Sequence, residues 1–261
     1  MNKQYSMLVF DLDRTLLNNN ALLSKYTIDV INKCSINGLK IILATARPIR
    51  NINYILNNIN CNGFICHNGA IVYVENKEIY RATINEDNAF YLLKNLINII
   101  PKLNISVECN DIIYSNFNIS NIWENTNAII DNLSNFRKGE IEKIIIQASN
   151  LDEIKQIKPF LKSDLYVEIS EGKIAMILNK NATKYKGIKQ IIKYFNININ
   201  NVIAFGDDVN DYEIIKNCGL GIAVDNAKQN IKAIANFICE SNENEGVAKW
   251  LDKNILSKYN I

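Results

Sequence analysis

Four short apolar runs, each ending in polar residues, constrain this chain more than any other feature. Met7–Phe10 (MLVF) runs into Asp11-Leu12-Asp13, and Lys40–Ala44 (KIILA) runs into Thr45. Gly63–Cys66 (GFIC) runs into His67-Asn68-Gly69, and Val202–Phe205 (VIAF) into Gly206-Asp207-Asp208. Apolar runs this short, bounded by turn residues, read as buried strands. Helical spacing separates the first three. Ile28, Ile31 and Cys34 recur within Thr27–Asn37 ahead of Gly38, a stop signal, and Arg50–Asn58 reads as a second helix. Strand, helix, strand at this spacing predicts a parallel sheet with crossover helices. In such a sheet function sits at the carboxyl ends of the strands.

After Asn68-Gly69 the rhythm changes. Ala70–Val74 and Glu78–Arg81, flanking Glu75-Asn76-Lys77, read as a hairpin. Asn85–Ile100 has a helical pattern closed by Pro101, and short strands are expected at Ile105–Cys109, Ile141–Ala148, Leu165–Ile169 and Ile174–Leu178. Such runs predict an α+β unit on an antiparallel sheet. The α/β rhythm then returns with a helix over Lys184–Phe195, the strand before Gly206, a helix from about Asp211 and a strand at Gly221–Val224. The reading is an α/β core in two pieces, 1–81 and 184–261, interrupted by an inserted α+β unit over 82–183.

Composition narrows the function classes. A net charge of +2 with no dominant Lys/Arg cluster gives no nucleic-acid footprint. No apolar run reaches the ~18 residues of a membrane span, and the N-terminus lacks the regions of a signal peptide, so a cytoplasmic protein is expected. The six cysteines (Cys34, Cys61, Cys66, Cys109, Cys218 and Cys239) have no CxxC spacing, which argues for free thiols over a zinc site. The single histidine, His67, excludes a His-rich metal cage.

Four places carry candidate chemistry. Asp11 and Asp13, two residues apart beyond a strand, can face one crevice, one attacking phosphorus and the other serving as acid and base. Acidic pairs at strand ends are also often merely solvated. Thr45 can hold a phosphoryl oxygen with nearby backbone N–H groups, although threonine there is more often a helix cap. Lys184, at the start of an amphipathic helix, can offset the repulsion between a phosphate and a carboxylate nucleophile, yet a lone lysine is usually a surface residue. Gly206-Asp207-Asp208-Val209-Asn210-Asp211 supplies hard oxygen ligands of the kind Mg²⁺ prefers, with a glycine that allows close approach.

Together these residues resemble the haloacid dehalogenase superfamily, specifically its Cof-type phosphatases, which carry a large cap between their second and third motifs. The matching segments are FDLDRTL (10–16), ILATARP (42–48), NGA (68–70), the Lys184 helix, GDDVND (206–211), GLGIAVDNA (219–227) and EGVAKWL (245–251). The resemblance covers the core, whereas the cap matches only by length and position. It implies a Rossmann-like three-layer α/β/α core with an inserted α+β cap that governs substrate choice. It also implies Asp11 as nucleophile and Asp13 as general acid/base. Mg²⁺ would be held by Asp11, the Asp13 backbone carbonyl and Asp207, with Asp211 in support. Thr45, Ala46, Lys184 and Asn210 would bind the phosphoryl group of a small phosphorylated metabolite, in a monomer or weak homodimer. Two departures stand out: Arg14 occupies a position where glycine is frequent, and Ala46 replaces the glycine of a TGR triplet.

The Lys-Gly pairing frequent in that family points to Lys186, which precedes Gly187, but spacing favours Lys184. Ile188, Ile191 and Phe195 follow Lys184 at +4, +7 and +11, one buried stripe. Lys186 lies about 200° further round at ~100° per residue, on the solvent side. Two other readings compete with hydrolysis: a phosphotransferase such as a phosphomutase, and a non-catalytic phosphate-binding protein. The second is disfavoured because every chemical group is present.

Overall fold

The computed structural model describes residues 5–100, 102–121, 123, 126–147, 151–170 and 174–259. The expected helix stop at Pro101 and strand end at Ala148 lie outside the described residues. The chain divides into two compact units, Met1–Arg81 with Thr183–Ile261, and Ala82–Ala182. Thr183 falls with the first unit, where its side chain accepts the Lys186 N–H and caps the lysine helix.

The first unit begins with β1 (Met7–Phe10), α1 (Lys25–Ile36), β2 (Lys40–Ala44), α2 (Asn53–Leu56), β3 (Gly63–Cys66), β4 (Ile71–Val74) and β5 (Lys77–Arg81). The second unit holds α3 (Glu86–Ile99), β6 (Asn104–Cys109), β7 (Ile112–Ser115), β8 (Ile129–Ile130), β9 (Lys143–Gln147), α4 (Leu151–Ile157), β10 (Leu165–Ser170) and β11 (Ile174–Asn179). The first unit resumes with α5 (Lys184–Phe195), β12 (Val202–Gly206), α6 (Tyr212–Asn217), β13 (Leu220–Val224), α7 (Gln229–Lys232), β14 (Phe237–Cys239) and α8 (Gly246–Asn254).

The first unit's sheet runs β14-β13-β12-β1-β2-β3-β4-β5. It is parallel from β14 to β3, and β4 and β5 extend it as an antiparallel hairpin. All four residues of β1 are fully buried, as a central strand covered on both faces requires. The order places β1 at a topological switch point: the chain leaves it for β2 on one side and returns as β12 on the other. Phe10, the last residue of β1, pairs with Leu43 and with Phe205, each one residue short of its strand's end, so the residues that follow all three strands open at one edge.

The hairpin turns on Glu75 and Asn76, both left-handed at φ 50° and 62°, with Val74 paired to Lys77. That is the two-residue turn whose twist matches the strands, and Lys77 belongs to β5 rather than to the turn. The helix expected over Arg50–Asn58 is only a tight turn at Ile49–Asn51 followed by α2. Four of those nine residues are asparagine, which favours caps and turns over helix interiors.

In the second unit the sheet order is β10-β11-β9-β6-β7-β8, antiparallel except where β7 meets β8. Asn85 caps α3 by accepting the Asn88 N–H, and Ala89, Leu92, Leu93 and Leu96 form its buried stripe. They pack with Ile105, Val107, Ile144, Ile146 and Ile177 from one sheet face. Strands β7 and β8 were not expected. The turn that makes β7, Asn110-Asp111 at φ 54° and 61°, is the Asn/Asp pair that tolerates left-handed backbone.

The six cysteines carry thiols rather than disulfides. Burial pushes the thiols of Cys34, Cys61, Cys218 and Cys239 up to about 12. At pH 8 roughly one in ten thousand of these groups would be thiolate, the reactive form. Native protein is therefore expected to react with a thiol reagent far more slowly at these positions than the chain in denaturant. Peptide mapping after timed alkylation checks this, and equal rates in both states would contradict the packing described.

Candidate active site

The residues after β1 and β12 make a buried ionic cluster. Lys184 is fully enclosed, and its Nζ donates to Asp11 Oδ1 at 2.6 Å and to Asp211 Oδ1 at 2.7 Å. Asp11, Asp207 and Asp211 each present a carboxylate oxygen within 4.8 Å of the others. Thr15 Oγ1 donates to Asp207 Oδ1 at 3.0 Å, and Arg14 Nε lies 3.9 Å from Asp207 Oδ2. Lys184 reaches the cluster because it lies on the buried face of α5 with Gly187, Ile188 and Ile191. Lys186 is half-buried.

Electrostatics follow from this enclosure. Burial opposes the charge on Lys184, but Asp11 and Asp211 outweigh it and hold the ammonium above its ordinary value. One ammonium faces three carboxylates. Burial, reinforced by Asp211 and Asp207, pushes Asp11 well above the usual carboxylate range despite the lysine. Burial and Asp211 likewise push Asp207 up to about 6. A buried set of hard oxygens with excess negative charge fits a small divalent cation, whose charge would return both acids to their ionised forms.

The five acids at these strand ends, Asp11, Asp13, Asp207, Asp208 and Asp211, divide by surroundings. Both oxygens of Asp211 are engaged by donors: Oδ1 accepts from Lys184, and Oδ2 accepts the N–H groups of Asp207 and Asp208 at 3.0 and 3.2 Å. Gly206 is required there, because a Cβ at that position would lie 2.5 Å from the Asp211 side chain. Asp208 caps the following turn through the Val209 N–H and pairs with Lys228, so it serves the loop rather than the cluster. The Asp13 side chain is about half exposed and turned to Arg47, whose Nε donates to Oδ2 at 2.9 Å and whose second terminal nitrogen donates to Oδ1 at 2.5 Å. That orientation comes from a wide turn closed by the Leu17 N–H on the Leu12 carbonyl, with Arg14 left-handed at φ 62°. The left-handed angle is the physical reason glycine suits position 14.

Thr45 is fully buried at the end of β2 and accepts the Arg47 N–H on Oγ1 at 3.1 Å, with half-buried Ala46 next to it. Asn210 donates from Nδ2 to Asn68 Oδ1 at 3.1 Å, while its own Oδ1 is buried without a partner. The structure thus gathers Asp11, Asp207, Asp211 and Lys184 into one cluster and ties Asn210 to the NGA turn. The sequence reading missed Arg47 and Asn68. Both lie in segments that carry the family resemblance, ILATARP and NGA, but neither was assigned a role at the site.

The model for the haloacid dehalogenase-like hydrolase family matches residues 8–251. The 5-amino-6-(5-phospho-D-ribitylamino)uracil phosphatase YitU of Bacillus subtilis (strain 168) is 25% identical over 264 residues, covering 94% of this chain and 96% of its own length. The phosphatase BT1666 from Bacteroides thetaiotaomicron superposes with a TM-score of 0.86 at 23% identity, over 97% of this chain and 96% of its own. The subclass IIB sugar phosphatase BT4131 gives 0.85 at 23%, over 95% and 98%. At that identity the two structures establish the fold. The chain belongs to the haloacid dehalogenase-like hydrolases, with the fold of their Cof-type, subclass IIB phosphatases.

Proposed function

We propose that the protein is a Mg²⁺-dependent phosphatase that hydrolyses small phosphorylated metabolites through an aspartyl phosphate on Asp11. The observation that carries the reading is the bridge from Lys184 to Asp11 and Asp211, with Asp207 alongside. A buried ammonium held against a carboxylate at a strand end leaves that carboxylate aimed and lets it meet an anion. The relatives named as phosphatases supply the substrate class. A cytoplasmic location is supported by six cysteines that carry thiols rather than disulfides.

In this reading an Asp11 oxygen attacks phosphorus while the ester P–O bond breaks, and Asp13 gives its proton to the leaving oxygen. Asp13 then takes a proton from water, whose oxygen attacks phosphorus and breaks the bond to Asp11, releasing inorganic phosphate. Lys184, Thr45, the Ala46 backbone and Asn210 hold the phosphoryl oxygens. Asp11, Asp207 and the Asp13 backbone would hold Mg²⁺, and Asp211 would position Asp207 and Lys184. Mg²⁺ would supply charge neutralisation at the phosphoryl group. Arg47 keeps the Asp13 carboxylate outside the carboxylate cluster and within reach of solvent. The second unit is proposed to select the leaving group.

Phosphate release from a panel of metabolite esters tests the activity. Turnover is expected with Mg²⁺, loss in chelator, restoration on adding Mg²⁺, and poor support by Ca²⁺, whose looser coordination misplaces in-line attack. Folded Asp11→Asn protein should be inactive. Full activity in chelator, or in Asp11→Asn, would contradict the mechanism, and transfer to a second hydroxyl in place of release would mark a phosphotransferase.

The two lysines separate cleanly. Lys184→Ala is expected to lower turnover by about 10²–10³, as for other preorganised transition-state donors. It should also destabilise the metal-free protein by about 3–5 kcal/mol, because two buried carboxylates lose their partner. Lys186→Ala should change turnover little. Kinetics and chemical denaturation of both variants decide it, and the reverse order of effects would move the catalytic role to Lys186.

A further inference from the structure

The turn His67-Asn68-Gly69 touches three elements of the site. Asn68 is buried and left-handed at φ 57°, and its N–H donates to the Thr45 carbonyl at 3.0 Å. Its side-chain oxygen accepts the Asn210 amide at 3.1 Å. Gly69, at φ 112°, lies so close to the residue ahead of Lys184 that a Cβ would sit 2.3 Å from the Thr183 carbonyl oxygen. The end of β2, the start of α5 and the loop after β12 therefore all meet on this turn. Asparagine suits the left-handed position, being several-fold enriched there, and it alone among the common left-handed residues brings a carboxamide.

We infer that Asn68 is a positioning residue that fixes the Asn210 carboxamide in one orientation at the phosphoryl site. Asn210 has one N–H committed to Asn68, leaving the other N–H and a buried oxygen without a protein partner. A carboxamide held at one end cannot swing away, so its remaining groups stay presented to a bound anion and its water shell. Without Asn68 the amide can rotate about its side-chain bonds, and part of the phosphate affinity is lost in ordering it again. The inference rests on the phosphatase reading, because it takes the ligand beside Asn210 to be a phosphoryl group.

The test is a double-mutant cycle on inorganic phosphate affinity, measured by calorimetry with Mg²⁺ present, alongside KM and kcat for p-nitrophenyl phosphate. Asn68→Gly keeps the left-handed backbone and removes only the side chain. It is expected to weaken phosphate binding about tenfold, the size of one lost hydrogen bond, and to act mainly through KM. Asn210→Ala should do the same, and the double variant should be no weaker than Asn210→Ala alone. Asn68→Asp provides the control if the glycine variant does not fold: it keeps an acceptor oxygen, so Asn210→Ala introduced into it should still lose its full factor. Additive losses in the cycle, wild-type affinity in Asn68→Gly, or disappearance of the Asn210 effect in Asn68→Asp would each overturn the assignment. Absence of phosphate release by the wild-type protein would instead defeat the phosphatase reading, which keeps the two failures distinct.

Discussion

The contact between Lys184 and the two carboxylates Asp11 and Asp211 ties together parts of the chain that lie far apart in sequence, 173 positions from Asp11 to Lys184. Its charge is fully enclosed, and such a charge is tolerable only when paired and hydrogen-bonded. Satisfying Lys184 requires β1 and β12 to lie side by side, α5 to start at their carboxyl edge and the acidic loop to fold back. A truncated lysine would strand two buried acids. A shifted helix would leave the ammonium without partners. The same contact thus constrains the fold and builds the cluster at which the chemistry is proposed.

A second constraint is division of labour among like residues. Five carboxylates, Asp11, Asp13, Asp207, Asp208 and Asp211, stand at the ends of two strands. Three cluster, one caps a turn and one faces Arg47. All three clustered acids are buried, and burial pushes Asp11 and Asp207 towards protonation, which a divalent cation would reverse. The Asp13 side chain keeps its contact with solvent, which suits the acid and base role proposed for it.

Much of this was legible in the sequence, for particular reasons. Continuous apolar runs located β1, β2, β3 and β12, since strands buried on both faces admit few polar residues. The stripe of Lys184, Ile188, Ile191 and Phe195 is visible in the helical period; the structure buries the first three and leaves Phe195, at the helix end, half-buried. Other features depend on backbone angles that spacing does not carry. Asp208 is set apart from its neighbour Asp207 by the cap it makes with Val209 and by its pairing with Lys228. The turn of Asp13 towards Arg47 depends on a left-handed Arg14, a conformation the residue type disfavours. Strands β8 and β14 are two and three residues long with exposed apolar side chains, and pairing rather than pattern defines them. The bond from Asn68 to Asn210 spans 142 positions with no local signal.

Whether Asp11 carries the phosphoryl group is settled most directly by trapping it. A single turnover with a good ester substrate would be quenched in acid and treated with borohydride, which reduces an aspartyl phosphate to homoserine. Peptide mass spectrometry then reads the modified position. Homoserine at position 11, dependent on substrate, is the predicted result. Substrate-dependent reduction at another acid, or turnover with no modified residue under conditions that trap acyl phosphates, would contradict the nucleophile assigned from the Lys184 cluster.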